Sequence, residues 1–263
     1  MVDNPIENNL YLARISHLSG LHEEAIKYIE ELIKLKNGNL SDEERNLLLS
    51  SLKSLINFRR DSWRTVHALE SKEIKNQSSL LPRVSELKQS LVNEIKQYIS
   101  KGVELIDNIL KCPTTDEVKL IYYKTKADYM RYIIELTPKD KEDEISALKE
   151  KADENYKNAL SMCYNLSNLN TNKIGLVLNY TVFLYEIMKD YKNAYIIANN
   201  AYQKTIKSIN DENADITLMK DLNKLLNLLK DNISKWSEVV QQENIENLAK
   251  DLSPVNNQEN PAP

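Results

Sequence analysis

The 263-residue chain has little of what interrupts regular structure: 4 Gly and 7 Pro, with no proline between Pro138 and Pro254. Sheet proteins need frequent tight turns, and those turns draw on glycine and proline. A proline-free stretch of that length excludes most all-β folds. The glycines, Gly20, Gly38, Gly102 and Gly175, do not cluster, which excludes a glycine-rich phosphate loop. His17, His22 and His67, with Cys112 and Cys163, fall at no metal-ligand or triad spacing. No metal, cofactor or enzymatic activity is therefore expected. His17 and His22 are read as pointing to different faces, and the cysteines as reduced thiols in a cytoplasmic protein. No apolar run approaches the roughly 18 residues of a membrane span. The opening residues, with Asp3, Asn4 and Glu7, carry no signal-peptide pattern. A net charge of -4 argues against nucleic acid as partner, while leaving room for one local basic patch.

What the chain does have is amphipathic helix. Apolar periodicity and breakers predict an all-α protein of nine segments. They run from Ile6 to Leu18, Leu21 to Lys36, Ser41 to Lys75, Leu81 to Leu110 and Asp116 to Leu136. The rest run from Lys141 to Tyr164, Lys173 to Met188, Tyr191 to Ile209 and Ala214 to Val240. Ser41 with Glu44 three residues on makes a capping box, Pro82 suits a first helical turn, and Thr115 caps the fifth segment. Short loops between long helices imply antiparallel neighbours. The third and fourth segments are too long for a compact bundle and point to a cupped array. Residues 1–241 read as one helical domain and 242–263 as a flexible tail.

Four constellations carry chemistry. On the third segment Lys53, Arg60 and Arg64 share one face within about 40°. Stacked cations repel one another, so they await either an anion or carboxylates from a neighbouring helix. On the fifth segment Lys124, Asp128 and Arg131 share a face. Arg131 and Tyr132 together offer a planar fork of donors and a phenolic hydroxyl, a combination suited to phosphate; a salt-bridged surface helix is the alternative. On the seventh, Leu178 and Val182 flank Asn179, with Glu186 beyond. On the ninth, Leu225, Leu228, Asn232 and Trp236 recur at core spacing, which also fits an apolar groove wall.

Four strings in these segments resemble signature segments of 14-3-3 proteins, in that family's order. They are EERNLLLSSLKSLINFRRDSWR (Glu43 to Arg64), YYKTKADYMRYIIE (Tyr122 to Glu135), GLVLNYTVFLYEI (Gly175 to Ile187) and LLKDNISKW (Leu228 to Trp236). The resemblance spans roughly Leu10 to Trp236. It implies a cup-shaped protomer of nine antiparallel helices with an amphipathic groove. The implied function is that of a non-enzymatic adaptor binding phosphoserine or phosphothreonine segments of client proteins. By motif position, Arg60, Arg131 and Tyr132 hold the phosphate and Lys53 adds charge. Asn179 and Asn232 bond the ligand backbone, with Glu186 beside Asn179. Leu178, Val182, Leu225, Leu228 and Trp236 form or border the apolar wall, and Arg64 and Lys124 line the basic side. A helical scaffold that binds unphosphorylated peptide, or a holdase, is the competing reading.

The chain departs from the family pattern in places. Lys224 and Lys235 stand where apolar residues are usual. Leu21 and Leu87 replace an arginine and a tyrosine common at the dimer surface. Apolar contacts among Ile15, Leu18, Leu21, Leu87 and Leu91 are expected to take over there, in a homodimer or a heterodimer with a paralogue. Ser62 and Ser253, the latter before Pro254, are candidate regulatory phosphorylation sites.

Overall fold

A computed structural model describes residues 4–211 and 216–251, with 216–218 and 243–251 given as helical backbone alone. The described residues form nine α-helices and one π-helical segment, with no strand. The helices are α1 (Pro5–Leu18), α2 (His22–Leu35), α3 (Asp42–Lys75), α4 (Leu81–Leu110) and α5 (Asp116–Leu136). They continue as α6 (Glu142–Ser161), α7 (Thr171–Phe183), α8 (Tyr191–Asp211) and α9 (Ile216–Asp251). The chain divides into two compact units: Met1–Tyr122 with Tyr132–Glu142, and Tyr123–Arg131 with Asp143–Pro263. Helix α5 contributes its two ends to the first unit and its middle to the second.

In the first unit α1 packs on α2 and α3, α2 on α3, and α3 on α4. The face of α2 read from the sequence, Ala25, Ile29, Leu32 and Ile33, is buried, as are Leu48, Leu52 and Ile56 of α3 and Ile95, Ile99 and Ile106 of α4. Both arms of the capping box form. Ser41 Oγ accepts from the Glu44 amide at 3.3 Å, and Glu44 Oε2 accepts from the Ser41 amide at 2.6 Å. Lys36 Nζ also reaches Glu44 Oε2, at 2.5 Å. Burial pushes the Glu44 carboxyl up, but these partners hold it below its ordinary value. The preceding turn uses Gly38 at φ 82°. An added Cβ would also sit 2.7 Å from Cys112 Sγ, so a larger residue would both strain the turn and displace the Cys112 side chain.

In the second unit Tyr156 of α6 packs against Tyr180 and Phe183 of α7, at ring-centroid distances of 5.3 Å each. Helix α7 packs on α8 and α9, and α8 on α9. Leu169, Ile174, Leu222 and Leu226 form a buried cluster there.

Three helix boundaries depart furthest from expectation. The seventh segment is not one α-helix: α7 gives way to the π-helical Leu184–Met188, stopped by Lys189 at φ 60°. The amide of Asp190 closes it on the Leu184 carbonyl at 2.9 Å. The widened turn sets Tyr185 against Tyr191 and Trp236, each at 4.8 Å, a tertiary demand invisible to periodicity. Helix α9 runs to Asp251 rather than Val240, because good helix formers continue with no breaker before Pro254. Helix α6 stops at Ser161, short of Tyr164. Residues 252–263, Ser253 included, lie outside the described residues.

Candidate functional site

In the first unit, the face of α3 that carries Arg60 and Arg64 meets the last turns of α5. Glu135 stands between the two arginines. Its Oε2 accepts from Arg60 Nη2 at 2.5 Å, and its Oε1 from Arg64 Nε at 2.9 Å. Arg64 Nη2 lies 2.8 Å from the same Oε1. Arg60 is held on its other sides as well. Its Cζ lies 3.6 Å over the Tyr132 ring, a cation–π contact, and Nη1 donates to Asn57 Oδ1 at 3.3 Å. Its Nε is buried with no hydrogen-bond partner. Arg64 Nη1 also faces Asp61 at 3.4 Å. Side-chain exposure is graded: Arg60 9%, Glu135 29%, Arg64 50%. Burial pushes the Glu135 carboxyl up, and the two guanidinium groups pull it further down, leaving it below its usual value. Lys53, earlier on α3, is exposed.

The second unit holds a second carboxylate among cations. Asp128 is buried. It accepts from Tyr156 Oη at 2.6 Å, from Lys124 Nζ at 3.0 Å, and from Asn179 Nδ2 at 2.8 and 3.0 Å. Arg131 Nη2 is 3.7 Å away. Burial raises the Asp128 carboxyl, but the charges of Lys124 and Arg131 and the Tyr156 hydroxyl hold it below its ordinary value. Burial and the Asp128 charge together drive the Tyr156 hydroxyl well above its own. Asn179 thus has its amide nitrogen engaged by both oxygens of Asp128.

The remaining sequence-predicted residues are spread more widely. Leu178 and Val182 of α7 are half-buried and Glu186 of the π-helical segment is exposed. On α9, Leu228 is exposed and Asn232 half-buried. Leu225 packs against the buried cluster around Leu222, and Trp236 is buried, stacked on Tyr185 at 4.8 Å. Lys224 turns along its own helix to Asp221 at 2.9 Å, and Lys235 is exposed. Of the apolar surface set, Ile15, Leu18, Leu21 and Leu87 are exposed, Leu18 at 84%, whereas Leu91 is buried within the unit. Ser62 is half-buried and donates to the Phe58 carbonyl at 3.0 Å.

The sequence reading missed Glu135 and Tyr156 as members of these clusters. Glu135 had a signal, since it lies four residues beyond Arg131 and therefore near the same face of α5. Tyr156, on another helix, had none. The reading of His17 and His22 is corrected: their rings lie 5.1 Å apart. Helical spacing does not carry across Ser19 and Gly20, where the chain reverses with Gly20 at φ 76°. His17 Nδ1 lies 2.8 Å from Ser51 Oγ, but Ser51 is fully buried and cannot meet a substrate. Among the described residues no group of three or more His, Cys, Asp or Glu side chains is placed to hold a metal ion. No described helix is long and apolar enough to cross a membrane.

Comparison with known proteins agrees with the four motif segments. A family model described as "14-3-3 protein" matches residues 12–237. The chain is 30% identical to 14-3-3 protein 3 of Entamoeba histolytica over 234 residues, covering 88% of this chain and 95% of that protein. It is 29% identical to 14-3-3 protein 2 of the same organism over 233 residues, with the same coverage. It is also 29% identical to the checkpoint signal transducer rad25 of Schizosaccharomyces pombe over 242 residues, 90% of this chain and 86% of that protein.

Proposed function

This chain belongs to the 14-3-3 family, and from that premise we propose that it is a phosphoserine- and phosphothreonine-dependent adaptor. Its clients are phosphorylated proteins whose activity, location or assembly it regulates in the cytoplasm, without catalysis of its own. Lys53, Arg60, Arg131 and Tyr132 hold the phosphate. Arg64 and Lys124 line the basic side. Asn179 and Asn232 bond the ligand backbone, with Glu186 assisting, and Leu178, Val182, Leu225, Leu228 and Trp236 form or border the apolar wall.

The observation that carries this reading is the arrangement around Arg60. The guanidinium is fixed by Glu135, Asn57 and the Tyr132 ring before any ligand arrives. Two arginines already share one oxyanion of the protein's own, which is the recognition a phosphate requires. Support also comes from a relative named as a checkpoint signal transducer. The exposed Ile15, Leu18, Leu21 and Leu87 favour an apolar dimer contact, with a second copy or a paralogue. Two grooves in one dimer would raise avidity for doubly phosphorylated clients.

Fluorescence anisotropy tests the reading directly. One labelled peptide in phosphoserine and serine forms is titrated with wild type and with an Arg60→Ala/Arg131→Ala double variant. The phosphoserine form is expected to bind at about micromolar Kd, roughly -8 kcal/mol. The serine form and the double variant should each be weaker by about 100-fold or more. Equal binding of the two peptide forms would instead support the helical-scaffold or holdase reading.

A further inference from the structure

The turn between α1 and α2 brings two imidazoles together. His17, in the last turn of α1, and His22, the first residue of α2, have ring centroids 5.1 Å apart. His17 Nδ1 meets the buried Ser51 hydroxyl at 2.8 Å. His22 Nδ1 is buried with no hydrogen-bond partner. A positive charge on His22 would also face the positive end of the α2 dipole. Burial first, and then the neighbouring His17, hold the His22 imidazole below its ordinary value.

His22 also lines a recess of about 570 Å³, together with Leu21, Leu55 and Phe58. Leu21 and Phe58 are exposed, as is Leu18 just before the turn. The other ionisable groups of the recess are Glu23, Glu24 and Arg59, and each is already engaged. Glu23 accepts from Tyr98 Oη of α4 at 2.5 Å, Glu24 pairs with Lys27 at 2.7 Å, and Arg59 of α3 pairs with Glu94 of α4 at 2.7 Å. On α1, Arg14 is held by Glu43 of α3 at 2.7 Å. Among the described residues no carboxylate comes within ion-pair distance of either imidazole.

This surface suits a neutral His22. A second copy that sets its exposed leucines against the recess removes water from the ring and penalises its charged form. The dimer then binds the proton more weakly than the free protomer does, and by linkage acid drives the two copies apart. We propose that His22 is a pH sensor in the dimer contact: neutral, it completes an apolar surface for a second copy, and protonated, it releases that copy. The proposal rests on the apolar-dimer reading given above. An unperturbed imidazole titrates near pH 6.5. With the folded value lower, the contact is at full strength above about pH 6.5 and weakens as pH falls below it. Each of the two equivalent histidines changes the dimer Kd by at most about ten-fold per pH unit.

Sedimentation equilibrium of the full chain, at fixed ionic strength, tests this. The dimer Kd of wild type is expected to rise by about ten-fold or more between about pH 7.5 and about pH 5.5, with the helical circular dichroism unchanged. His22→Gln and His22→Phe cannot take up the proton, so their Kd should move by less than about three-fold. A second readout needs wild type alone. By NMR of labelled histidine, the His22 titration midpoint should fall as protein concentration, and hence dimer, increases. A wild-type Kd that ignores pH overturns the proposal, as does a His22 variant with the wild-type pH dependence. Loss of helix in step with dissociation overturns it too, because acid is then unfolding the protomer. Should both variants be monomeric at about pH 7.5, the wild-type midpoint decides, and one that is independent of concentration overturns the proposal. A wild type that is monomeric throughout is a different result, which sinks the apolar-dimer reading and the sensor with it.

Discussion

Asp128 and Glu135 lie on the same helix and both hold cations, yet their surroundings differ. Asp128 is buried and takes donors from Lys124, Tyr156 and Asn179, with Arg131 nearby. Glu135 is 29% exposed at its side chain and accepts from both Arg60 and Arg64. A buried carboxylate with every lone pair engaged is a fixture: removing it strands several donors at once. A partly open carboxylate shared by two arginines is replaceable, because another oxyanion can take its place. The first gathers donors within one compact unit, and the second bridges two arginines in the other.

The largest effect that sharpens this contrast is on stability. Asp128→Ala leaves the Tyr156 hydroxyl, the Asn179 amide and the Lys124 ammonium without their acceptor. It is expected to destabilise by about 3–5 kcal/mol. For a chain of this size that is a fall in Tm of roughly 10 °C, read by circular dichroism. Glu135→Ala should cost less than half as much, since solvent reaches Arg64 and the Tyr132 ring still faces Arg60. Equal losses from the two would erase the distinction between the buried and the partly open carboxylate.

A smaller effect isolates one donor. Tyr156→Phe removes the hydroxyl 2.6 Å from Asp128 while keeping the ring that packs on Tyr180 and Phe183. Loss of a hydrogen bond to a charged acceptor is worth about 1.5–3 kcal/mol, measured as a shift in urea midpoint. If Lys124 and Asn179 take up the slack, the shift will vanish, and Asp128 is then less dependent on full saturation than its burial implies.

These same residues show where sequence reasoning reaches and where it stops. The ends of α3, α4 and α5 were legible because their signals are local. Ser41 and Glu44 satisfy each other's backbone amides across three residues, and the Thr115 side chain accepts from the Val118 amide. The shared face of Arg60 and Arg64 was legible for the same reason. What neutralises that face was not. Glu135 lies 75 residues from Arg60, and Tyr156 lies 28 from Asp128, distances that helical arithmetic does not span. The π-helical turn at Leu184–Met188 was hidden because its cause, the stacking of Tyr185 on Trp236, is tertiary. Family motifs supplied some of the missing long-range pairing by placing Arg60, Arg131 and Tyr132 in one expected role. The same strings contain Asp128 and Glu135, but they do not say that Glu135 pairs across to Arg60 and Arg64.

The smallest expected effect concerns acid. Both carboxylates are held below their ordinary values in the folded protein, where cations and hydrogen bonds outweigh burial. An unfolded Asp or Glu takes up its proton near pH 4, before the folded one does. The stabilisation from each is therefore complete above about pH 4 and is lost as pH falls through the depressed folded-state values. Within that window each group adds at most about 1.4 kcal/mol per pH unit to the slope of stability against pH. Asp128→Asn should flatten the acid limb of a urea-midpoint series by about one group's share, and Glu135→Gln should flatten it too. If the Asp128 variant follows the wild-type limb instead, burial and the surrounding cations cancel at that carboxylate. Its role would then be the geometric one of orienting Asn179 and Lys124, with no net pull from charge.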